Sequence, residues 1–197
     1  MSQLNVDALK NSGGTGSGID LQSNGNFAFD TNTLYVDSVN DRVGINDSTP
    51  SFSLDISGTE GVNFGTSPLF EGVNIVSGTS NGNTNIDLLT SSVHLFTSSN
   101  TGNWTPNFRG NSSTTLGSLM TTGQVLVATI ISQNGGSTGY AANMNIDGTG
   151  QSEQWFGGSA PSERGGTSGY DVYQYTIIRT GTGSSDYVVL ANVTYMD

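Results

Sequence analysis

The sequence predicts an all-β protein, and three observations carry the prediction. Apolar and polar residues alternate through several short segments, which is the period of a strand with one buried face. Gly numbers 28 of 197 residues and Ser, Thr and Asn are abundant; these residues favour turns and exposed strands over helices. No stretch has the 3.6-residue period of an amphipathic helix. We expect a short intertwined β-meander or prism region followed by a C-terminal, jelly-roll-like β-sandwich head.

Residues 1–33 lack the pattern of a core-forming segment. LNVDALK is compatible with one helical turn or a short strand, and NSGGTGSG has the composition of a flexible connector. Within it, GGTGSG at residues 13–18 lacks the Lys-Ser/Thr ending and the leading strand of a phosphate-binding loop. We expect this segment to be an anchor or a lead-in, with a linker, that becomes ordered against a partner.

Residues 34–92 predict a shaft of short strands. Turn sequences such as SVND and NDSTPS separate three apolar alternations: Leu34 and Val36; Val43 and Ile45; and Phe52, Leu54 and Ile56. Residues 59–92 repeat this pattern more loosely, as a second layer of the shaft or as a linker. Strands this short bury too little surface to be stable alone, so we expect neighbouring chains to supply the missing core.

Residues 93–197 predict a sandwich head. Three long segments have the β-branched and aromatic composition of strands: QVLVATIISQ (124–133), DVYQYTIIRT (171–180) and DYVVLANVTYM (186–196). VHLFTS, NWTPNFRG, YAANMNI and EQWFGG bring the total to about seven, enough for a sandwich or jelly roll. The last long segment is apolar on both faces, with Tyr187, Val189, Ala191, Val193 and Tyr195 on one and Val188, Leu190 and Met196 on the other. We therefore expect packing on both sides of it.

Charge and composition exclude several classes of partner. The five Lys and Arg stand singly against 16 Asp and Glu, which gives a formal net charge of −11. Nucleic-acid binding needs clustered basic residues, so no nucleic-acid partner is expected. The lack of Cys removes disulfides and thiolate metal sites. No apolar run approaches the about 20 residues of a bilayer span, and no signal peptide is evident, so no membrane insertion is expected.

Two regions resemble proteins of tailed bacteriophages. LYVDSVNDRVGINDSTPSFSLDISG, residues 34–58, resembles fibre shaft segments, in which a Tyr-Val-Asp strand, an Arg-Val-Gly-Ile strand, a Pro-containing turn and a Leu-Asp-Ile/Val-Ser-Gly strand follow in this order. The C-terminal half resembles a module found at the end of many phage virion structural and tail-fibre proteins. The motifs that carry this second resemblance are NWTPNFRGNSSTTLGSLMTTGQ, a strand ending in Gln-Asn-Gly, IDG, QWFGGSAPS and DVYQYTIIRTG.

The resemblance implies a non-enzymatic virion structural protein, made in the host cytoplasm and carried on the virion. Its implied partners are two further copies of itself, as a homotrimer, and proteins of the tail, baseplate or capsid contacted through residues 1–33. A chain of 197 residues fits a small fibre, a tip or an adaptor. Two alternatives stay open: a fibre tip that binds a host-surface glycan, and a capsid decoration, or cement, protein.

No pattern indicates catalysis, a cofactor or a metal. His94 is the single histidine and lies at an alternating position of VHLFTS, as an ordinary strand residue does; no GxSxG motif accompanies it. Asn143, Asn145 and Asp147 match the first half of a calcium loop, but Gln154 stands where a bidentate Glu is needed. Asp-Gly in IDG predicts a hairpin turn instead.

Four aromatic residues are the candidate ligand-binding positions. They lie in or beside Gly-rich loops that also carry Asn and Ser: Tyr140, Trp155, Phe156 and Tyr170. Exposed aromatic rings beside such hydrogen-bond donors suit sugar rings or protein surfaces. For Trp155, as for Trp104, the alternative is that the ring fills one end of the sandwich core.

Overall fold

A computed structural model describes residues 8–9, 19–29, 33–58, 62–66, 68–135 and 139–196. These residues form sixteen strands, one four-residue helix, α1 (Leu116–Leu119), and one turn of 3-10 helix, Phe156–Gly158. The all-β prediction is confirmed. The predicted connector at residues 13–18 lies outside the described residues.

The chain divides into two compact units, Met1–Pro68 and Leu69–Asp197. We expected domain boundaries after residues 33 and 92, whereas the two units divide after residue 68. Strands on either side of residue 33 share one sheet, and strands at 73–76 and 82–87, expected in the shaft, pair with strands of the C-terminal region. Strand pairing depends on packing between residues far apart in the sequence, so a local change of composition does not indicate which strands share a sheet.

The first unit contains one six-stranded sheet whose strands lie side by side in chain order. They are β1 (Ala8–Leu9), β2 (Ile19–Leu21), β3 (Phe27–Phe29), β4 (Leu34–Asp37), β5 (Arg42–Ile45) and β6 (Leu54–Ile56). β1 to β5 are antiparallel neighbours, and β6 runs parallel to β5. The short strands predicted between Leu34 and Ile56 are therefore present.

One face of this sheet is apolar across five strands. Leu54 pairs with Val43, which pairs with Val36, and Val36 pairs with Phe27. A second row on the same face contains Ile56, Ile45, Leu34, Phe29 and Ile19. In the single chain Leu54 is 60% exposed and Ile56 is 42% exposed. We call these two rows the apolar meander face.

The opposite face of the same sheet carries a network of side-chain hydrogen bonds and little hydrophobic core. The Tyr35 hydroxyl accepts a hydrogen bond from Asn26 Nδ2 (2.8 Å) and donates one to Gln22 Oε1 (3.0 Å). Asn26 Oδ1 in turn accepts from the Ser38 backbone N–H at 2.7 Å. Among the described residues of this unit, Ala28 and Tyr35 are the buried hydrophobic side chains. The unit thus has little core of its own.

The second unit is a sandwich of a six-stranded and a four-stranded sheet. Its strands are β7 (Val73–Val76), β8 (Gly82–Asp87), β9 (Val93–Phe96), β10 (Trp104–Arg109), β11 (Val125–Gln133), β12 (Asn145–Ile146), β13 (Thr149–Gly150), β14 (Glu153–Trp155), β15 (Tyr170–Arg179) and β16 (Tyr187–Met196). The larger sheet has the order β14-β16-β15-β11-β9-β7 and the smaller the order β13-β12-β10-β8.

From β7 to β12 the chain passes alternately between the two sheets. As a result β7, β9 and β11 are parallel neighbours in one sheet, and β8, β10 and β12 are parallel neighbours in the other. The sandwich character is confirmed, with parallel pairs where a jelly roll has antiparallel ones. β11, β15 and β16 then add long antiparallel pairs.

The core of this unit lies between its two sheets. Phe108 of the smaller sheet contacts Tyr175 of the larger one edge to face, with ring centroids 5.0 Å apart. Trp104 meets Tyr173 in the same way at 5.4 Å, and both rings are buried. Trp104 therefore fills the core, as the structural alternative predicted.

The two outer faces of the sandwich differ in chemistry. On the smaller sheet, Asn107 donates to Asn85 at 2.8 Å and Asn145 to Asn83 at 3.2 Å, while Arg109 pairs with Asp87. On the larger sheet the outer positions are mostly aliphatic. β16, expected to pack on both sides, buries Val189 and Ala191 but leaves Val188 and Leu190 exposed in the single chain.

Candidate functional site

The structure brings two of the four candidate aromatic residues together. Trp155 ends β14 and Phe156 follows it directly in the 3-10 turn. Tyr140 lies elsewhere, in a recess of about 280 Å³ beside Asn103 and Trp104. Tyr170 begins β15, opposite Met196 of β16 and Gln133 of β11. The four residues therefore do not form one site.

A groove of about 520 Å³ lies along β14, β16 and β15 on the outer side of the larger sheet. Its polar lining comes from three amide side chains, Gln154, Gln174 and Asn192, together with Thr176. Strand register brings them together: Gln174 pairs with Asn192, Thr176 with Leu190, and Leu190 with Gln154. Side chains from three distant parts of the sequence thus share one surface.

Phe156 stands at the open edge of this groove and is 85% exposed. The backbone after it turns through Gly157 at φ 80° and Gly158 at φ 82°. Only glycine adopts these angles without strain, so the sequence FGG determines the turn that presents the ring. An aromatic ring held in water on a tight turn is available to contact a ligand.

Trp155 has a mainly structural role. Its ring packs edge to face on the buried Tyr175 at 6.0 Å and lies against the hydrophobic core. Tyr175 also contacts Phe108 edge to face, so the three rings form one aromatic cluster beneath the groove. Both rings line the groove, Trp155 and Phe156, and Phe156 is the more exposed of the two.

The groove itself carries no ionisable lining residue among its described members. The nearest carboxyl in sequence, Glu153, begins β14, and burial raises its pKa above the ordinary value. An exposed phenyl ring beside three amides offers an apolar platform together with hydrogen-bond donors and acceptors. This arrangement suits a neutral, hydroxyl-rich ligand such as a sugar ring.

His94 is built into the strand as a neutral imidazole. Its Nδ1 lies 3.0 Å from Asn74 Nδ2 and its Nε2 lies 2.9 Å from the Ser91 carbonyl oxygen. The amide can donate to Nδ1 while Nε2–H donates to the carbonyl, which determines the tautomer. Burial lowers the pKa of the imidazole. Both ring nitrogens thus make hydrogen bonds to other residues of the second unit.

The NMNIDG segment is a hairpin, as predicted. β12 and β13 are antiparallel, and between them Asp147 and Gly148 have φ of 51° and 80°, as a type I′ turn requires. The Asp147 carboxylate accepts hydrogen bonds from the backbone N–H groups of Leu116 (2.7 Å) and Gly117 (2.9 Å). Its oxygens thus hold the start of α1.

The described residues contain no group of three or more His, Cys, Asp or Glu side chains arranged to hold a metal ion. Within the same part of the chain, no helix combines the length and the apolar character of a membrane span.

The sequence alone did not single out Gln154, Gln174 and Asn192. Each alternates in its strand as a solvent-facing polar residue does, and only the pairing of β14, β16 and β15 places them side by side. The available signal was that β15 and β16 carry amides at the middle of otherwise β-branched and aromatic runs.

Comparison of the chain with protein-family models, with curated proteins and with solved structures finds no match.

Proposed function

We propose that this chain is a non-enzymatic bacteriophage virion structural protein that assembles as a short homotrimeric fibre on the tail, baseplate or capsid. The observation that carries the proposal is the apolar meander face, whose two rows of Leu, Ile, Val and Phe cross five strands and are covered by no core among the described residues of this unit. Three copies around one axis bring these faces together and bury them.

The resemblance of residues 34–58 to fibre shafts supports the same assembly. A shaft built in this way draws its stability from contacts between chains, because each short strand contributes little alone. Pairing and covering of the strands also removes exposed edges that otherwise promote aggregation. Within residues 1–33, β2 and β3 contribute Ile19, Phe27 and Phe29 to the apolar meander face, so the remainder of this range is left to attach the fibre to a protein of the particle.

The mass of the purified chain in solution tests the proposal. Light scattering is expected to give close to three times the 20.5 kDa of one chain. Ile56→Glu places a charge in the meander face and is expected to lower the mass towards that of one chain, because a buried unpaired carboxylate is costly. Val39→Glu adds the same charge at an exposed turn residue of this unit and leaves the mass unchanged.

A wild-type mass of 20.5 kDa at all concentrations contradicts the homotrimer and favours a capsid decoration protein that becomes ordered on the particle. Antibody labelling of intact virions separates the two placements. Label on the tail or baseplate supports the fibre, and label spread over the capsid together with a monomeric mass in solution supports the decoration protein.

A second candidate function is recognition of a host-surface glycan, and the groove beside Phe156 favours it. With a net charge of −11, the chain repels acidic polysaccharide, so the expected ligand is a neutral oligosaccharide. The sugar ring stacks on Phe156, and the amides of Gln154 and Asn192 bind its hydroxyls.

Phe156→Ala is expected to weaken binding to neutral oligosaccharides by about tenfold or more, since an aromatic contact contributes about 0.5–1.5 kcal/mol beyond the apolar area it buries. Calorimetry with a panel of defined neutral oligosaccharides measures this change. Tyr170→Ala, which removes an exposed ring away from the groove, is the control and retains the wild-type affinity. Absence of binding to the whole panel, or equal loss in both variants, rules out the groove as the glycan site.

A further inference from the structure

The outer face of the larger sheet in the second unit is aliphatic over five neighbouring strands, β7, β9, β11, β15 and β16. Ile75 pairs with Leu95, which pairs with Ile131, and these three side chains form a row across β7, β9 and β11. Val125, Ile178 and Val188 form another row across β11, β15 and β16. We call this surface the outer sheet face.

The outer sheet face remains in water in the single chain. Ile75 on the edge strand is 68% exposed, and Val127 in the middle of the sheet is 53% exposed. The inward residues of the same strands, such as Ile130 and Ile177, are completely buried. Both faces of the larger sheet are therefore apolar. The inner face is covered by the smaller sheet, whereas no layer covers the outer face within the described residues of the second unit.

The outer side of the other sheet of the sandwich is polar, with Asn83 and Asn85 exposed. Its outer side carries an amide ladder, in which Asn107 binds Asn85 and Asn145 binds Asn83, beside the Arg109–Asp87 ion pair. Both sheets belong to one sandwich and enclose one core. The difference between their outer sides indicates that the aliphatic one is covered in the functional state.

The distribution of charge permits another copy of this chain as the partner. The chain carries a net charge of −11, so two copies repel each other wherever their carboxylates approach. Every outward position of the five strands is uncharged, and the polar ones, such as Thr129, Gln174 and Asn192, have amides or hydroxyls that both donate and accept hydrogen bonds. A second copy of this face therefore meets it without like-charge repulsion.

The outer sheet face is large enough for a specific interface between two copies. The five strands have 4, 4, 9, 10 and 10 residues. At about 3.3 Å per residue and about 4.8 Å per strand, they present on the order of 600 Å² in one copy. Two such faces lose about 1,200 Å² together, which reaches the lower limit of specific, stable interfaces.

We infer that the outer sheet face is a self-association surface, on which the same face of other copies of this chain packs. The inference extends the proposed function, which assigns assembly to the first unit, by adding an interface in the second. Phe156 lies beyond β16, beside the edge strand β14, whereas Gln174 and Asn192 of the groove lie within the outer sheet face. A copy packed on this face therefore also covers part of the groove, so the inference is an alternative to glycan binding there.

Thiol labelling tests the inference, because the chain has no cysteine of its own. Val127→Cys places a thiol in the outer sheet face, and Leu89→Cys places one at a site of the same unit that is matched in exposure, at 55% against 53%. In the full-length native protein, maleimide is expected to label Val127→Cys about tenfold or more slowly than Leu89→Cys, because reaction then requires dissociation of the copies.

Dilution supplies the second readout. If another copy covers Val127, the protection is lost at the concentration at which light scattering shows the chain to dissociate. Ile75→Cys, on the edge strand of the same face, gives an independent position and is expected to behave as Val127→Cys does. Equal labelling of Val127→Cys and Leu89→Cys in the associated protein overturns the inference.

Ile56→Cys in the meander face separates this inference from the proposed function. Protection of Ile56→Cys without protection of Val127→Cys leaves the trimeric shaft standing and overturns the outer sheet face as an interface. Protection of Val127→Cys alone supports the inference and contradicts assembly through the first unit. Rapid labelling at every position, together with a mass of 20.5 kDa, contradicts both.

Discussion

Phe108→Ala is expected to lower the free energy of unfolding of the second unit by about 3–5 kcal/mol, the range for truncating a buried aromatic residue. Phe108 is completely buried and lies in β10, where it pairs with Ile86 of β8 and Ile146 of β12. Its ring contacts Tyr175 across the sandwich at 5.0 Å. Truncation leaves a cavity between the two sheets. It also removes one ring of the edge-to-face cluster in which Tyr175 contacts both Phe108 and Trp155.

Chemical denaturation monitored by tryptophan fluorescence measures this loss. All variants are compared at one fixed protein concentration, because association of a protein makes its measured stability depend on concentration. Phe156→Ala is the matched control, since it is the same substitution at an exposed ring of the same unit. It is expected to change the free energy of unfolding by no more than about 0.5 kcal/mol. Similar losses in both variants contradict the position of Phe108 at the centre of the core.

Asp147→Ala is expected to lower the free energy of unfolding by about 2–3 kcal/mol, because each hydrogen bond to a charged group contributes about 1.5–3 kcal/mol and the two are not independent. The carboxylate of Asp147 binds the backbone N–H groups of Leu116 and Gly117 and so joins the β12–β13 hairpin to the start of α1. Leu116 is itself buried, so its amide lacks free access to water as a substitute partner.

Hydrogen exchange at the amides of Leu116 and Gly117 reports this contact directly. Both are expected to exchange faster in Asp147→Ala, and to a smaller extent in Asp147→Asn, which keeps one acceptor oxygen and tolerates the positive φ of the turn. Asp41→Ala is the control, because Asp41 also has a positive φ, of 55°, at a turn of the first unit. Unchanged exchange in Asp147→Ala contradicts the proposed link.

Several elements followed from local sequence patterns. The strands from Leu34 to Ile56 and the long strands β11, β15 and β16 were predicted from alternation and β-branched composition, because side chains of a strand point to alternate faces whatever the partner strand is. The Asp147-Gly148 turn was predicted because few residues adopt two successive positive φ angles. Local stereochemistry is sufficient for such features.

Tertiary structure alone decided which strands became neighbours. Nothing in the segments 73–76 and 82–87 indicates that β7 joins β9 in one sheet while β8 joins β10 in the other. The groove depends on the same choice, because Gln154, Gln174 and Asn192 meet only when β16 lies between β14 and β15. By itself the sequence determined an all-β chain with apolar faces at predictable positions. Whether each face was buried within the chain or left exposed depended on the packing of whole sheets, to which residues far apart in the sequence contribute together.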